Sequence, residues 1–441
     1  MPASLDRRLG TGDAVVIGLG SMVGAGIFSA FGPAAATAGS ALLAGLALAG
    51  GIAYCNAVAS AQLAAQYPTS GGTYVYGRER LGEWWGFSAG WAFVVGKTAS
   101  CAAMALTFAA YAVPASAWVQ RLVGVAAVLA LTALNYRGIS RTAHATRLLV
   151  AVSLACLLVA VVAIATSGET DAGRLGHWPS LGAGGLHGVL QAAGFLFFAF
   201  AGYARIATLG EEVQDPKRTI PRAIPIALGI ALALYLLVGV AALAGAGPDA
   251  LASSTKPLST AVDAVGAGWA QPFVRVGAAV ASLGALLALI AGVGRTSLAM
   301  ARNGDLPRVL DSVHPRYRVP DRAELAVGAT VAVVVAATGL RNAIAFSSFG
   351  VLLYYAIANA SAFTQSARER RWPRALNVVG CIGCVVLVAA LPLSAIVVGS
   401  AVLAVGLVGR WVVQARRGRG SLAPWQRSSS RARRSSPSGG A

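Results

Sequence analysis

The chain contains a series of apolar segments of close to twenty residues each, separated by short polar stretches. A segment of that length crosses the hydrocarbon core of a bilayer as an α-helix. Hydrophobic residues make up 56% of the 441 residues and charged residues only 12%, against about 25% charged residues in ordinary soluble domains. Because so few charges cannot solvate the surface of a globule of this size, the sequence predicts an integral membrane protein.

Each apolar segment is predicted to be a helix, because backbone polar groups cannot be left unpaired in lipid. The sequence predicts twelve membrane-spanning helices, and an even number places both termini on the same side. The predicted spans cover residues 14–37, 42–65, 84–113, 120–136, 148–166, 187–209, 223–246, 271–301, 323–340, 343–366, 375–391 and 394–413.

The distribution of Lys and Arg predicts which side is cytoplasmic. The net charge is +19, but the basic residues lie in short loops beside apolar spans and in the C-terminal segment, which does not indicate nucleic-acid binding. Most of them share the side of the N-terminus, and positive residues stay in the cytoplasm, so both termini of a multi-pass protein of the cell membrane are predicted to be cytoplasmic. The exceptions are Arg121, Arg174, Lys256, Arg275 and Arg341 on the opposite side, and Lys97, Arg205 and Arg295 within spans.

Two polar segments flank the predicted transporter region of residues 14–413. Residues 1–13 are predicted to be a cytoplasmic N-terminus without a cleavable signal peptide, because the apolar segment that follows is too long for one. Residues 414–441 are rich in Arg, Ser, Gly and Pro and are predicted to be a basic, disordered cytoplasmic tail. Retention and solubility are its expected role, with binding of anionic lipid as the alternative.

Neither metal binding nor enzyme chemistry is predicted. The five cysteines lie inside apolar segments, where they are typical packing residues, and the four histidines are scattered. Neither the H-E-x-x-H nor the G-x-S-x-G motif of hydrolases occurs. We therefore expect no metal, no cofactor and no catalytic residue.

Two predicted spans are interrupted at matching positions. The first is broken by a glycine-rich stretch from Gly18 to Gly26, and the sixth around Phe197 to Tyr203. These spans head two successive groups of five helices, which is the pattern of inverted-repeat transporters with broken helices. Close packing of two helices through small residues is the alternative explanation of such glycines.

Five short motifs resemble those of the amino acid–polyamine–organocation superfamily of transporters, specifically its bacterial amino acid permeases. They recur in the expected order over about residues 10–370, and together they are specific although each alone is weak. The motifs are Gly20–Phe28 (GSMVGAGIF), Gln66–Tyr76 (QYPTSGGTYVY), Phe198–Tyr203 (FAFAGY), Glu211–Arg222 (EEVQDPKRTIPR) and Ala301–Pro307 (ARNGDLP).

The resemblance implies an all-α membrane fold like that of the leucine transporter. Its first repeat would cover about residues 14–166 and its second about 187–366, related by a pseudo-two-fold axis in the membrane plane. Two further helices would cover about residues 375–413. Substrate would bind where the first and sixth helices are broken, since freed N–H groups attract a carboxylate and freed carbonyls attract an ammonium group.

Site residues are carried over from the family by position. The substrate carboxylate would meet the backbone N–H groups of Gly24, Ala25 and Gly26. The ammonium group would meet the carbonyls of Met22, Phe198 and Ala201. Phe198 or Phe200 would be the aromatic lid over the substrate, with plain core packing as the alternative for each ring.

The sequence departs from proton-coupled relatives at two positions. Ser153 stands where some relatives have a lysine in the fifth helix, and the run after the sixth-helix break carries Arg205 in place of an acidic residue. A cation deep in a membrane normally has a function, so Lys97 is the candidate for proton coupling, the alternative being a structural lysine that hydrogen-bonds the unwound carbonyls. Arg205 is expected to pair with Glu211 or Glu212 as an inner gate.

The sequence therefore predicts a secondary transporter that moves amino acids by alternating access, coupled to protons. Neutral substrates are favoured because no carboxylate lies deep inside a span, with acidic substrates assisted by Lys97 or Arg205 as the alternative. Amino acid exchange, or transport of an amine or polyamine by the same fold, is the alternative, and a nutrient sensor is a more distant one. The expected partners are the substrate, protons and the lipid bilayer.

Overall fold

The protein is all-helical. The computed structural model describes residues 9–68, 71–138, 143–176, 184–207 and 212–421, and apart from an isolated bridge between Leu9 and Val213 these residues form no β-structure. Every predicted span is matched by a helix, numbered α1 to α12 here. The first, α1, has the pieces Thr11–Met22, Ala25–Ser29 and Phe31–Ala38, and α6 has the pieces Gly185–Phe200 and Ala204–Ala207. The others are α2 (Leu42–Gln66), α3 (Glu83–Ala112), α4 (Ala117–Tyr136), α5 (Ala143–Ala165), α7 (Pro216–Ala252), α8 (Gln271–Arg302), α9 (Asp321–Ala337), α10 (Leu340–Phe363), α11 (Arg374–Ala390) and α12 (Leu393–Ser421).

Ten of these helices are long and apolar enough to cross a membrane. The other two, α9 and α11, have 17 residues each, which is the lower limit for a spanning helix. The described residues therefore make a multi-pass membrane protein.

Two helices extend well beyond their predicted ends. The seventh begins at Pro216 instead of residue 223, because a proline in the first turn lacks only an N–H that would be unpaired there anyway. The twelfth continues to Ser421 instead of ending at residue 413, so residues 414–421 of the predicted disordered tail are helical. Residues 422–441 of that tail lie outside the described part of the chain.

The centre of the bundle is formed by α3, α6 and α10. More than seven-tenths of the residues in their apolar windows are buried, against 17% for α4 and 11% for α12 at the periphery. Helices α3 and α10 cross at two glycines, where a Cβ on Gly350 would lie 2.8 Å from both the Ala92 carbonyl oxygen and the Gly96 Cα. Only glycine permits so close an approach of two backbones.

The loops predicted to share the cytoplasmic side contact each other at one end of the bundle, which we call the basic end. Here Leu9 pairs with the segment before α7, and Gln66, the last residue of α2, donates to Glu369 after α10 at 2.6 Å. Tyr136 at the end of α4 packs against His314 between α8 and α9, with ring centroids 5.3 Å apart. The loops after α2, α4, α6, α8 and α10 therefore lie on one side.

Asp305 is the centre of an ion-pair cluster at the basic end. Its carboxylate lies 2.9 Å from Arg78 and 3.2 Å from Arg410 on α12, and it accepts a hydrogen bond from the Tyr74 hydroxyl at 2.7 Å. Burial and the Asp305 carboxylate raise the pKa of Tyr74 to about 12, so this hydroxyl donates throughout the physiological pH range. The cluster therefore links three parts of the chain, namely the segment between α2 and α3, the segment after α8, and α12.

The α3–α10 crossing generates a test of packing. A Gly350→Ala variant is expected to lose about 1–3 kcal/mol of stability, because the new methyl group must push two backbones apart. A Gly292→Ala variant on α8 is the control, since a Cβ there meets nothing within 4 Å and alanine favours a helix by about 1 kcal/mol. Thermal unfolding in detergent, followed by tryptophan fluorescence, should show opposite shifts; equal shifts would contradict the close crossing.

Candidate functional site

The break in α1 is a single tight turn. Val23 has φ −75° and ψ 66°, the values of an inverse γ-turn, and the Gly24 N–H donates to the Met22 carbonyl at 2.8 Å. Only Val23 and Gly24 lie between the helical pieces, so the break is much narrower than the glycine-rich stretch from Gly18 to Gly26. The chain then resumes as a helix at Ala25.

The break in α6 lies directly beside the break in α1. Residues Ala201–Tyr203 form a 3₁₀ turn after Phe200, as predicted for the region around Phe197 to Tyr203. A Cβ on Gly202 would overlap the Ser21 carbonyl, and a Cβ on Gly26 would lie 2.5 Å from the Ala199 Cα. These glycines let the two backbones touch at the point where each helix is interrupted.

Side chains from neighbouring helices satisfy the carbonyls that the breaks expose. The Tyr235 hydroxyl of α7 lies 2.6 Å from the Met22 oxygen and 2.9 Å from the Ala199 oxygen, and so joins both helices. The Ala201 oxygen accepts from the Lys97 ammonium of α3 at 3.0 Å and from the Tyr355 hydroxyl of α10 at 3.3 Å. Three further helices, α3, α7 and α10, therefore converge on the two turns.

A third tyrosine holds the second half of α1. The Tyr111 hydroxyl of α3 donates to the Phe28 carbonyl at 2.7 Å, and the two rings pack edge to face. Ala30 keeps helical backbone angles and donates to the Gly26 carbonyl. The half-helix from Ala25 to Ala38 is therefore almost continuous, and its first N–H groups face the break without partners in their own helix.

The predicted anion-binding groups have different surroundings in the structure. The N–H groups of Ala25 and Gly26 begin the second half of α1, whereas the Gly24 N–H is engaged by Met22. Among the carbonyls predicted to bind the ammonium group, that of Met22 has donors in the Gly24 N–H and the Tyr235 hydroxyl. The carbonyl of Ala201 has donors in Lys97 and the Tyr355 hydroxyl. Phe198 is in the last turn before the α6 break.

The two candidate lid residues point into different clusters. Phe198 belongs to a buried cluster with Ala25, Met104 and Ala285, which joins α1, α3, α6 and α8. Phe200 belongs to another cluster and packs on Tyr235, with ring centroids 4.9 Å apart. Phe198 therefore lies where α3 and α8 meet the break, and Phe200 lies on the α7 side.

Charged residues form a second group between the breaks and the basic end. Arg205 follows the α6 turn, and its charge interacts with those of Arg295 on α8 and Glu212. Arg295 also interacts with Glu324 of α9, whose Cγ packs against Gly294. Glu211, the other predicted partner of Arg205, lies outside the described residues. The arginines of α6 and α8 thus repel each other, and each is balanced by a carboxylate, Arg205 by Glu212 and Arg295 by Glu324 of α9.

Sequence reasoning missed the three tyrosines that support the breaks. Tyr111, Tyr235 and Tyr355 lie within apolar spans and are at most 2% exposed. A buried tyrosine needs a hydrogen-bond partner for its hydroxyl, and an interrupted helix is the richest source of free carbonyls in a membrane. That signal was present in the sequence, but it does not indicate which tyrosine faces which carbonyl.

Comparison with known proteins gives a match over nearly the whole chain. A family model described as "Amino acid permease" matches residues 9–411. An uncharacterized transporter of Mycobacterium tuberculosis is 61% identical over 408 residues, which cover 92% of this chain and 91% of that protein.

More distant relatives carry more specific names. A branched-chain amino acid permease of Bacillus subtilis is 26% identical over 399 residues, covering 86% of this chain and 84% of the relative. The human cationic amino acid transporter 4 is 29% identical over 385 residues, covering 82% of this chain and 60% of the relative.

The Tyr235 bridge generates a test of the site. In a Tyr235→Phe variant the Met22 and Ala199 carbonyls lose their shared hydroxyl donor, which is expected to reduce stability by about 1–3 kcal/mol. The matched control is Tyr54→Phe, which changes a tyrosine on the surface of α2 that is 42% exposed. This variant should unfold at the wild-type temperature. If both variants unfold like the wild type, the hydroxyl does not hold the two breaks together.

Proposed function

The chain belongs to the amino acid permease family, and on that basis we propose that it moves neutral amino acids across the cell membrane by proton-coupled alternating access. The observation that carries this proposal is the pair of adjacent helix breaks, which brings N–H groups and carbonyls that lie outside regular helical hydrogen bonding together between α1 and α6. An α-amino acid presents a carboxylate and an ammonium group on one carbon, so it matches both kinds of backbone group.

The proposed architecture is twelve spans arranged as two inverted repeats of five helices followed by α11 and α12. The equivalent positions of the breaks in α1 and α6 support this arrangement. The basic end would face the cytoplasm, because its loops contain most of the Lys and Arg residues. Both chain termini would then be cytoplasmic.

The proposed binding mode assigns the carboxylate to the N–H groups of Ala25 and Gly26, with Gly24 joining when its bond to Met22 opens. The ammonium group would meet the Phe198 carbonyl and compete for those of Met22 and Ala201. Phe198 is proposed as the lid, since it packs between α1, α3 and α8. Arg205 is proposed to gate the cytoplasmic side through Glu212.

The charges around the site favour a neutral side chain. Among the described residues of α1, α3, α6, α8 and α10, the only carboxylates are Asp13 and Glu83, both in a first helical turn at the basic end. A cationic substrate side chain would find no counter-charge beside the breaks, and it would lie near the Lys97 ammonium group. We therefore propose that cationic amino acids are poor substrates.

Lys97 is proposed as the proton carrier because it connects α3 to the α6 turn. Its side chain is 6% exposed, and its ammonium donates to the Ala201 oxygen. A hydrogen bond from a charged donor contributes about 1.5–3 kcal/mol, and one from a neutral donor about 0.5–1.5 kcal/mol. Losing the proton thus weakens the α3–α6 contact by about 1 kcal/mol, so proton occupancy and the position of the turn are linked.

Uptake into proteoliposomes tests substrate and coupling together. A mixture of labelled amino acids should accumulate when an inward proton gradient is imposed, and unlabelled neutral amino acids should compete, whereas arginine and lysine should compete at least about tenfold less well. Uptake only into vesicles preloaded with amino acid would establish the exchanger instead. Competition by amines without a carboxylate would establish an amine permease.

The role of Lys97 has its own prediction. A Lys97→Gln variant should lose gradient-driven accumulation but keep exchange of external for internal amino acid, because glutamine can donate to the Ala201 oxygen and cannot carry a proton. Lys217→Gln changes an exposed lysine at the basic end in the same way and should behave like the wild type. Full gradient-driven uptake by Lys97→Gln would leave the lysine with a structural role only.

A further inference from the structure

A file of buried amide and hydroxyl side chains runs between α2, α10 and α11, away from the proposed substrate site. It contains residues of all three helices and of the segment after α10, each at most 3% exposed. This is an unusual concentration of polar groups for the interior of a membrane protein. Its members, which we call the amide file, are Asn56, Ser60, Gln62, Asn359, Gln365 and Asn377.

The amide file opens at the basic end. Gln365 donates to Gln66 at 2.7 Å, and Gln66 donates to Glu369 at 2.6 Å. Glu369 is 39% exposed at its side chain. The Arg371 N–H donates to the Gln62 side chain at 3.3 Å. Polar groups from the end of α2 and from the segment after α10 therefore line this end of the amide file.

The middle of the file is held by two asparagines. Asn359 donates to the Asn56 side chain at 2.6 Å, and the Cys384 thiol of α11 lies 3.4 Å from the same Asn56 oxygen. A Cβ on Gly380 would lie 2.6 Å from the Asn359 oxygen. Asn377 is three residues before Gly380, so it lies on the same face of α11, one turn closer to the basic end.

The inner end of the file reaches the α6 break. Asn359 also donates to the Tyr355 carbonyl at 2.9 Å. The hydroxyl of Tyr355 contacts the Ala201 oxygen, to which the Lys97 ammonium is bonded. Tyr355 thus lies between the amide file and Lys97, with its carbonyl at Asn359 and its hydroxyl at the Ala201 oxygen.

Seven side-chain atoms of the file have no hydrogen-bond partner among the described residues. They include the amide nitrogens of Asn56, Gln62 and Asn377 as donors, and the oxygens of Asn359, Gln365 and Asn377 as acceptors, with the Ser60 hydroxyl as the seventh. Each such atom would cost about 1–3 kcal/mol if left dry. A metal ion would satisfy only the oxygens and an anion only the nitrogens, whereas water both donates and accepts.

We propose that the amide file holds a chain of internal water molecules that conducts protons between the cytoplasmic face and Lys97. This inference rests on the proton coupling put forward above and adds the route. A proton enters from Glu369 or bulk water, passes from water to water along the file, and bonds to the neutral Lys97 amine to give the ammonium. The amides stay neutral and hold the water in place, and substrate takes another path.

The groups that face Lys97 are compatible with this role. The Cys101 thiol lies one turn along α3 and interacts with the lysine charge. Tyr355 approaches from α10, and Tyr203 of α6 stacks on Tyr355 at 4.9 Å. Among the described residues, no carboxylate forms an ion pair with Lys97, so the file supplies its proton without a fixed acidic neighbour.

Radiolytic hydroxyl-radical labelling of the full-length protein in nanodiscs tests for the water. Radicals formed from bound water modify side chains beside it even where bulk solvent cannot reach. Cys384 contacts Asn56 of the file and is 0% exposed, whereas Cys156 on α5 is 7% exposed and packs against Gly277 of α8. Cys384 should be modified about fivefold faster than Cys156 despite its deeper burial. Slower modification of Cys384 would show a dry file and overturn the proposal.

Transport variants test the proton route. Asn377→Leu fills the file with an apolar side chain and Ser60→Ala removes one hydroxyl, while Asn135→Leu changes a buried asparagine on α4 whose amide donates to Leu287. The two file variants should lower gradient-driven uptake about fivefold and leave exchange within about twofold of wild type. They should also slow labelling of Cys384. Asn135→Leu should change gradient-driven uptake and exchange by equal factors.

These experiments distinguish a failure of the proposed proton route from a failure of the proposed function. Labelled Cys384 together with normal gradient-driven uptake in both file variants would overturn the route while leaving proton coupling intact. If the wild type accumulates no amino acid under a proton gradient, the proposed function fails, and the labelling of Cys384 still decides whether the file is hydrated.

Discussion

The need to pair every backbone group inside a membrane governs this structure. A continuous apolar helix meets that need within itself, but α1 and α6 are interrupted and leave groups exposed in the low-dielectric interior. The protein satisfies them from outside those helices, with the Tyr235 hydroxyl on two carbonyls and with Lys97 and Tyr355 on a third. Because those donors come from α3, α7 and α10, the interruptions determine how the surrounding helices pack.

Much of this arrangement could be predicted from the sequence, because the membrane reduces the choice of backbone to helices. Span positions followed from hydropathy, and the break in α6 followed from its glycine and aromatic pattern. The break in α1 is narrower than predicted, since glycines at positions 18 and 20 serve close packing on Ile206 and Val150 inside a regular helix. Packing glycines and turn glycines give the same sequence signal, and only the three-dimensional contacts separate them.

Side-chain partners across the bundle could not be predicted, because they depend on helix rotation and register. Tyr74 and Asp305 show this well: both lie in motifs on which the family resemblance rested, 231 positions apart. Nothing local indicates that the tyrosine hydroxyl donates to this carboxylate, or that Arg410 of α12 joins them. The same holds for the amide file, whose members lie in three helices and in the segment after α10. Each looks like an isolated polar residue in the sequence.

The position of Lys97 links coupling to specificity. Among the residues that the structure describes, its ammonium is held by a carbonyl dipole and not by a carboxylate, so none of them neutralises its positive charge locally. A second cation about 6 Å away, at an effective dielectric constant of about 20, would be repelled by about 3 kcal/mol, roughly a hundredfold in affinity. A neutral side chain avoids that penalty, whereas the substrate's own carboxylate and ammonium group have opposite charges, so their interactions with Lys97 largely cancel. Protonation of this lysine would then disfavour a cationic amino acid while a neutral one still binds, so the coupling residue and the selectivity of the site are not independent.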